Sequence, residues 1–160
     1  MILSEDNIQL VRNVIDALNT GDTTTVSEFI SSNYYNHESQ MDPVRSKMRG
    51  PEEFIDTVVN IRNAFSDLQY ELIDCVASNE RVISIVSVKG KHTGSFFGFI
   101  PPTGNKIFYQ AVHIFTIGDG KIIEHRAIRD DLALMYQLGV VKAATIQYEN
   151  FLNEWKAVRS

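Results

Sequence analysis

Apolar side chains recur every third or fourth residue over the first part of the chain and every second residue over the middle. Ile8, Val11, Ile15 and Leu18 form a helical stripe, since a period near 3.6 puts such positions on one face. Ser4 precedes it as an N-cap, with Glu5 and Asp6 in the first turn, where the helix dipole favours acids. Gly21 ends this helix, and Asp22 caps a short second one through Val26, Phe29 and Ile30. Residues 31–50 are polar and aperiodic and read as a long loop; such loops in compact domains are often functional or mobile. Gly50-Pro51 opens a third helix, with Glu52 and Glu53 behind the proline and Phe54, Val58, Ile61 and Phe65 as its buried stripe.

From residue 69 the period is two. Residues 69–77, 82–93, 106–117 and 121–129, rich in Val, Ile, Phe and Tyr, predict strands. "SNE" at 78–80 and Asp119-Gly120 are tight turns, so consecutive strands are antiparallel neighbours. Helical spacing returns after residue 130, and Tyr148, Phe151, Leu152, Trp155 and Val158 mark an amphipathic C-terminal helix. Helices, then a meander, then a helix make an α+β fold, three N-terminal helices covering one face of the sheet. A pocket between that face and the helices is a common place for a small ligand.

Composition narrows the classes. At 160 residues the chain makes one domain with a real core. A net charge of −5, with no Lys/Arg run longer than two, argues against nucleic acid as a partner. No apolar run reaches the length of a membrane helix, and the acidic N-terminus is unlike a secretory leader; the expectation is a cytoplasmic protein without a membrane partner. The single cysteine, Cys75, sits in an apolar stretch and reads as a small buried hydrophobe.

The candidate chemistry centres on four histidines: His37, His92, His113 and His125. Alternation puts Tyr109, Ala111, His113, Phe115 and Ile117 on one face. His113 is then either a core histidine with one hydrogen bond or an acid/base group on a pocket wall. In "GKIIEHRAIRDD" the same rule sets Ile123, His125, Ala127 and Arg129 on one face, with Ile122, Glu124, Arg126, Ile128 and Asp130 on the other. Glu124 and Arg126 read as a solvated face. Asp130 is either a pocket carboxylate brought round by a bulge or the N-cap of the next helix. No pair of histidines has chelate spacing, and no phosphate loop or nucleophile elbow occurs. Phe96, Phe97 and Phe99, before Pro101-Pro102, offer apolar surface for a pocket rim.

Three segments taken together, "NHES" (36–39), "GKHTGSFFGFIPPTGNKI" (90–107) and "HIFTIGDGKIIEHRAIRDDLALMYQLG" (113–139), resemble the SnoaL-like polyketide cyclase (ester cyclase) family. The resemblance runs over most of residues 5–140, so 1–140 is the domain and 141–160 a C-terminal extension of it. It implies the nuclear transport factor 2-like fold, a cone of strongly curved antiparallel sheet and helices, with a deep apolar pocket and commonly a homodimer. It also implies ring closure by intramolecular aldol condensation of a small hydrophobic carbonyl compound, with no cofactor and no metal. Such chemistry needs a carboxylate whose pKa is raised by an apolar surrounding and a donor for the enolate oxygen.

His113 matches the family's pocket histidine. The family's acid/base aspartate directly follows "EHW"; here the string is "EHRA", with Arg126 for the tryptophan and Ala127 at the acid position. The expectation is that His113, His125 and Asp130 carry proton transfer, while His37, His92, Phe96, Phe97, Tyr109 and Ala127 contact substrate. Two alternatives stay open. Ala127 leaves room for a binding or dimeric interaction module without catalysis. A steroid-isomerase-like or dehydratase activity would need a carboxylate from elsewhere, such as Glu38 or Asp42.

Overall fold

The computed structural model describes residues 4–141. The expected C-terminal helix with Phe151 and Trp155 lies outside them. Two helices come first, α1 (Ser4–Thr20) and the one-turn α2 (Val26–Phe29), and a third, α3 (Pro51–Ala64), follows the first strand. The strands are β1 (Ile30–Asn36), β2 (Phe65–Ala77), β3 (Arg81–His92), β4 (Lys106–Gly118) and β5 (Lys121–Arg129), and α4 (Asp131–Gln137) follows. They form one sheet in the order β1-β5-β4-β3-β2.

The four strands of the meander pair antiparallel; tight turns at 78–80 and 119–120 join β2 to β3 and β4 to β5, and the 93–105 loop joins β3 to β4. β1 was not expected: it lies in the stretch read as loop and runs parallel to β5, with Asn36 opposite His125. Its sequence, ISSNYYN, is polar because it is an edge strand whose only inward positions are Ile30, Tyr34 and Asn36. The rest of the expected loop is also ordered, as two 3-10 turns, His37–Met41 and Arg45–Lys47.

Bulges curve the sheet. Ile122 pairs with Ile117 while Glu124 pairs with Thr116, so Ile123 is an extra residue in β5. This corrects simple alternation: Ile122 is fully buried on the inward face, and His125, Ala127 and Arg129 share that face with it rather than with Ile123. A second bulge at Ile73 shifts β2 in the same manner and turns Cys75 inward opposite Ser84.

The inward face carries two apolar clusters. One joins Val82, Phe115, Ile117 and Ile122 to Val11, Val14, Ile15 and Leu18 of α1 and to Phe54 and Val58 of α3. The other joins Val86, Val88, Ile107, Tyr109 and Ala111 to Phe65, Leu68, Ile100, Leu134 and Leu138. Between them runs a cross-strand row of Cys75, Ser84, His113 and Ala127. Three of its four side chains are small, so burial by the flanking clusters leaves His113 the one large group in the row.

Candidate functional site

The sheet register brings the two inward histidines together. His113 faces Ala127 across the β4–β5 ladder, and His125 faces Phe115 one row away. Nδ1 of His113 lies 2.8 Å from Nε2 of His125. Nδ1 of His125 lies 3.0 Å from Oδ1 of Asn36, its neighbour on β1. Asn36 donates from Nδ2 to Oε1 of Glu53 at 3.0 Å. A continuous chain therefore runs from the inward sheet face to the first turn of α3.

Glu53 is 1% exposed, and Oε1 also accepts the hydroxyls of Ser39 and Thr57, with the Arg45 guanidinium 3.9 Å away. Burying a carboxylate costs several kcal/mol unless donors and a counter-charge surround it. These four groups are that surrounding, and they pin the 37–50 segment onto α3. Arg45 is held in turn by Asp56 at 2.6 Å.

Both histidines are neutral at neutral pH. Burial lowers His113 from 6.5 to about 4, and the nearby Arg129 guanidinium adds to this. Burial holds His125 well below the usual range too, helped by His113, Arg129 and His37. Arg129 projects onto the same face one row beyond His113, opposite Ala111. Its guanidinium binds Glu38 at 3.1 Å and Asp131 at 3.1 Å. The other oxygen of Glu38 accepts the Ala127 N–H at 3.0 Å. Glu38 thus supplies a carboxylate beside the alanine, from the turn that follows β1, while Asp42 is spent capping its own turn at Val44 and Arg45.

The remaining sequence candidates fall elsewhere. Asp130 is exposed and accepts the Ala133 N–H at 3.0 Å as the N-cap of α4, so the bulge lies at Ile123 and does not carry Asp130 inward. His37 pairs with Glu124 at 3.5 Å. His92 is fully buried at the far end of β3, where its Nδ1 accepts the Thr103 N–H and its ring meets Phe65 and Phe96. Eight residues along β3 separate it from the row of His113, roughly 26 Å at a strand's rise per residue. Phe96 is half-buried on Phe65, and Phe97 is 53% exposed. Both belong to the loop that His92 anchors rather than to the histidine pair. Tyr109 is inward opposite Val88, two rows beyond His113 on the Arg129 side, and accepts the Tyr70 hydroxyl.

Among the described residues, no three His, Cys, Asp or Glu side chains converge as metal ligands. Two surface depressions, at Ser78–Arg81 and between α1 and α2, are lined by none of the site residues.

The model of the SnoaL-like polyketide cyclases matches residues 8–138. The chain belongs to that family. It is 36% identical over 134 residues to the aklanonic acid methyl ester cyclase DnrD of Streptomyces peucetius, covering 82% of this chain and 90% of that one. It is 31% identical over 127 residues to the nogalonic acid methyl ester cyclase of Streptomyces nogalater, covering 79% and 92%. Among solved structures, TsrD from Streptomyces laurentii superposes with a TM-score of 0.79 at 24% identity, over 88% of this chain and all of that one. The nuclear transport factor 2-like fold is therefore the fold of this SnoaL-like chain. No helix among the described residues is long and apolar enough to cross a membrane.

Asn36, Glu53 and Arg129 are site residues that the sequence does not single out: Asn36 lies inside "NHES", Glu53 reads as an ordinary first-turn acid, and Arg129 reads only as a member of the His125 face. The available signal was Tyr34 and Asn36 alternating just before "HES", which is strand spacing.

Proposed function

We propose that this member of the family is a cofactor-free cyclase acting on a small hydrophobic polyketide-type ester, with His113 as the base. The observation that carries this reading is His113 set among small side chains, 2.8 Å from His125 and one row from the Arg129 guanidinium. The ligand would lie over the row Ser84–His113–Ala127, between the two apolar clusters.

His113 takes a proton from the carbon next to a carbonyl, and Arg129 stabilises the enolate oxygen that forms. The enolate carbon attacks a second carbonyl of the same molecule. The resulting alkoxide recovers the proton from His113, so the reaction is an isomerisation and needs no co-reactant. Glu38 holds Arg129 in place and does not need to move a proton. Asp130 has no part in the chemistry, and His92, Phe96 and Phe97 stabilise the fold.

Ala127 favours a second reading, a binding module without turnover. The two separate in one assay. An ester-bearing polyketone of the kind named for the relatives is incubated with the protein in chelator, and cyclised product is followed. Conversion that falls at least about 100-fold in His113→Gln supports the enzyme; tight binding without conversion supports the module.

The outer sheet face supports a homodimer. Ile85, Val112 and Ile128 form one cross-strand row on it, and Val76, Ile83 and Ile114 the next. Ile83, Ile128 and Val76 are exposed, and an apolar patch of this kind marks an interaction site. Its antiparallel rows would be self-complementary in a two-fold pair.

A further inference from the structure

The hydrogen-bond chain has a direction, and one backbone group determines it. The Glu38 N–H can only donate, and it lies 3.1 Å from Oδ1 of Asn36. A reversed carboxamide would set its NH2 against that N–H and its oxygen against the Glu53 carboxylate. Asn36 therefore turns its oxygen toward His125, and Nδ1 of His125, 3.0 Å away, must carry the hydrogen. In a neutral ring Nε2 is then the acceptor, so His113 donates from Nδ1 across the 2.8 Å contact. The lone pair of His113 is left on Nε2, on the side of the ring turned away from His125.

We propose that Asn36, anchored by Glu53, is a positioning residue that sets the tautomers of both histidines and makes Nε2 of His113 the nitrogen that accepts a ligand's proton. The inference rests on the reading of His113 as the base and names the group that makes it one.

Glu53 is suited to the anchoring role. It is buried at the start of a helix and gathers Asn36, Ser39 and Thr57 on one oxygen. Without the Asn36 oxygen nothing would hold the hydrogen on Nδ1 of His125. That ring could carry it on Nε2 instead and donate to His113. His113 would then present an N–H where it now presents a lone pair, and a base would become a donor with no change of charge.

The experiment is long-range proton–nitrogen correlation spectroscopy on the full chain, histidine-labelled with nitrogen-15, at neutral pH. The expected result is the Nδ1–H tautomer for both His113 and His125. Asn36→Leu is expected to exchange the protonated and unprotonated nitrogens of His113. Finding the Nε2–H tautomer for His113 in the unmodified protein overturns the inference, and that spectrum needs no variant to fold. An unchanged His113 tautomer in folded Asn36→Leu also overturns it. The expected tautomers in a protein that turns over no ester support the positioning role and overturn only the catalytic reading, so the two fail separately.

Discussion

His113 was legible as an inward residue because β4 is regular and alternation holds along it. Its environment was not legible, because Asn36 reaches His125 and Glu53 reaches Asn36 from distant segments, and no local pattern announces them. Two neutral histidines on the inward face make stability depend on pH. In the unfolded chain each titrates near 6.5, whereas His113 in the fold resists protonation down to about 4. Between those values the unfolded state binds more protons, so stability is full above 6.5 and falls as pH drops toward 4. His113 alone contributes up to about 3 kcal/mol to that loss, at about 1.4 kcal/mol per pKa unit. Denaturant midpoints measured from neutral pH to about pH 5 should fall, and His113→Gln should flatten the slope.

The strands and helices of the meander and of α1 and α3 follow from periodicity, helix caps and turn residues. β1 did not, since an edge strand with three inward positions leaves too short a pattern among its serines and asparagines. The Ile123 bulge was equally hidden: period two gives no sign of where a residue is skipped, and the slip moved Ile122 to the inward face. Asp130 shows the cost of such ambiguity. Both of its readings were open in the sequence, and the structure spends its carboxylate on the first turn of α4. Asp130→Ala should therefore lower stability by about 1 kcal/mol, the usual worth of an N-cap, and leave turnover unchanged. Thermal unfolding and the cyclisation assay together check this.

At the scale of the whole molecule, the curved sheet has two faces with different work. The inward face packs on helices at both ends and leaves the row of His113 between two cores. The outward face keeps Ile83, Val76 and Ile128 in solvent, which is costly for a lone subunit and useful for a pair. Ile83→Lys with Ile128→Lys should convert a dimer to a monomer in sedimentation velocity without unfolding it, since neither side chain contributes to the core. A chain that sediments as a monomer before the change would remove the pairing proposal.

The family and the fold are carried by the sequence match and the sheet, whereas the chemistry rests on His113. The measurement that tests it most directly is the cyclisation rate of a polyketide methyl ester in chelator, for the unmodified protein and for His113→Gln at equal folded concentration. The account predicts product from the first and a rate at least about 100-fold lower from the second. Equal rates from both proteins would contradict it.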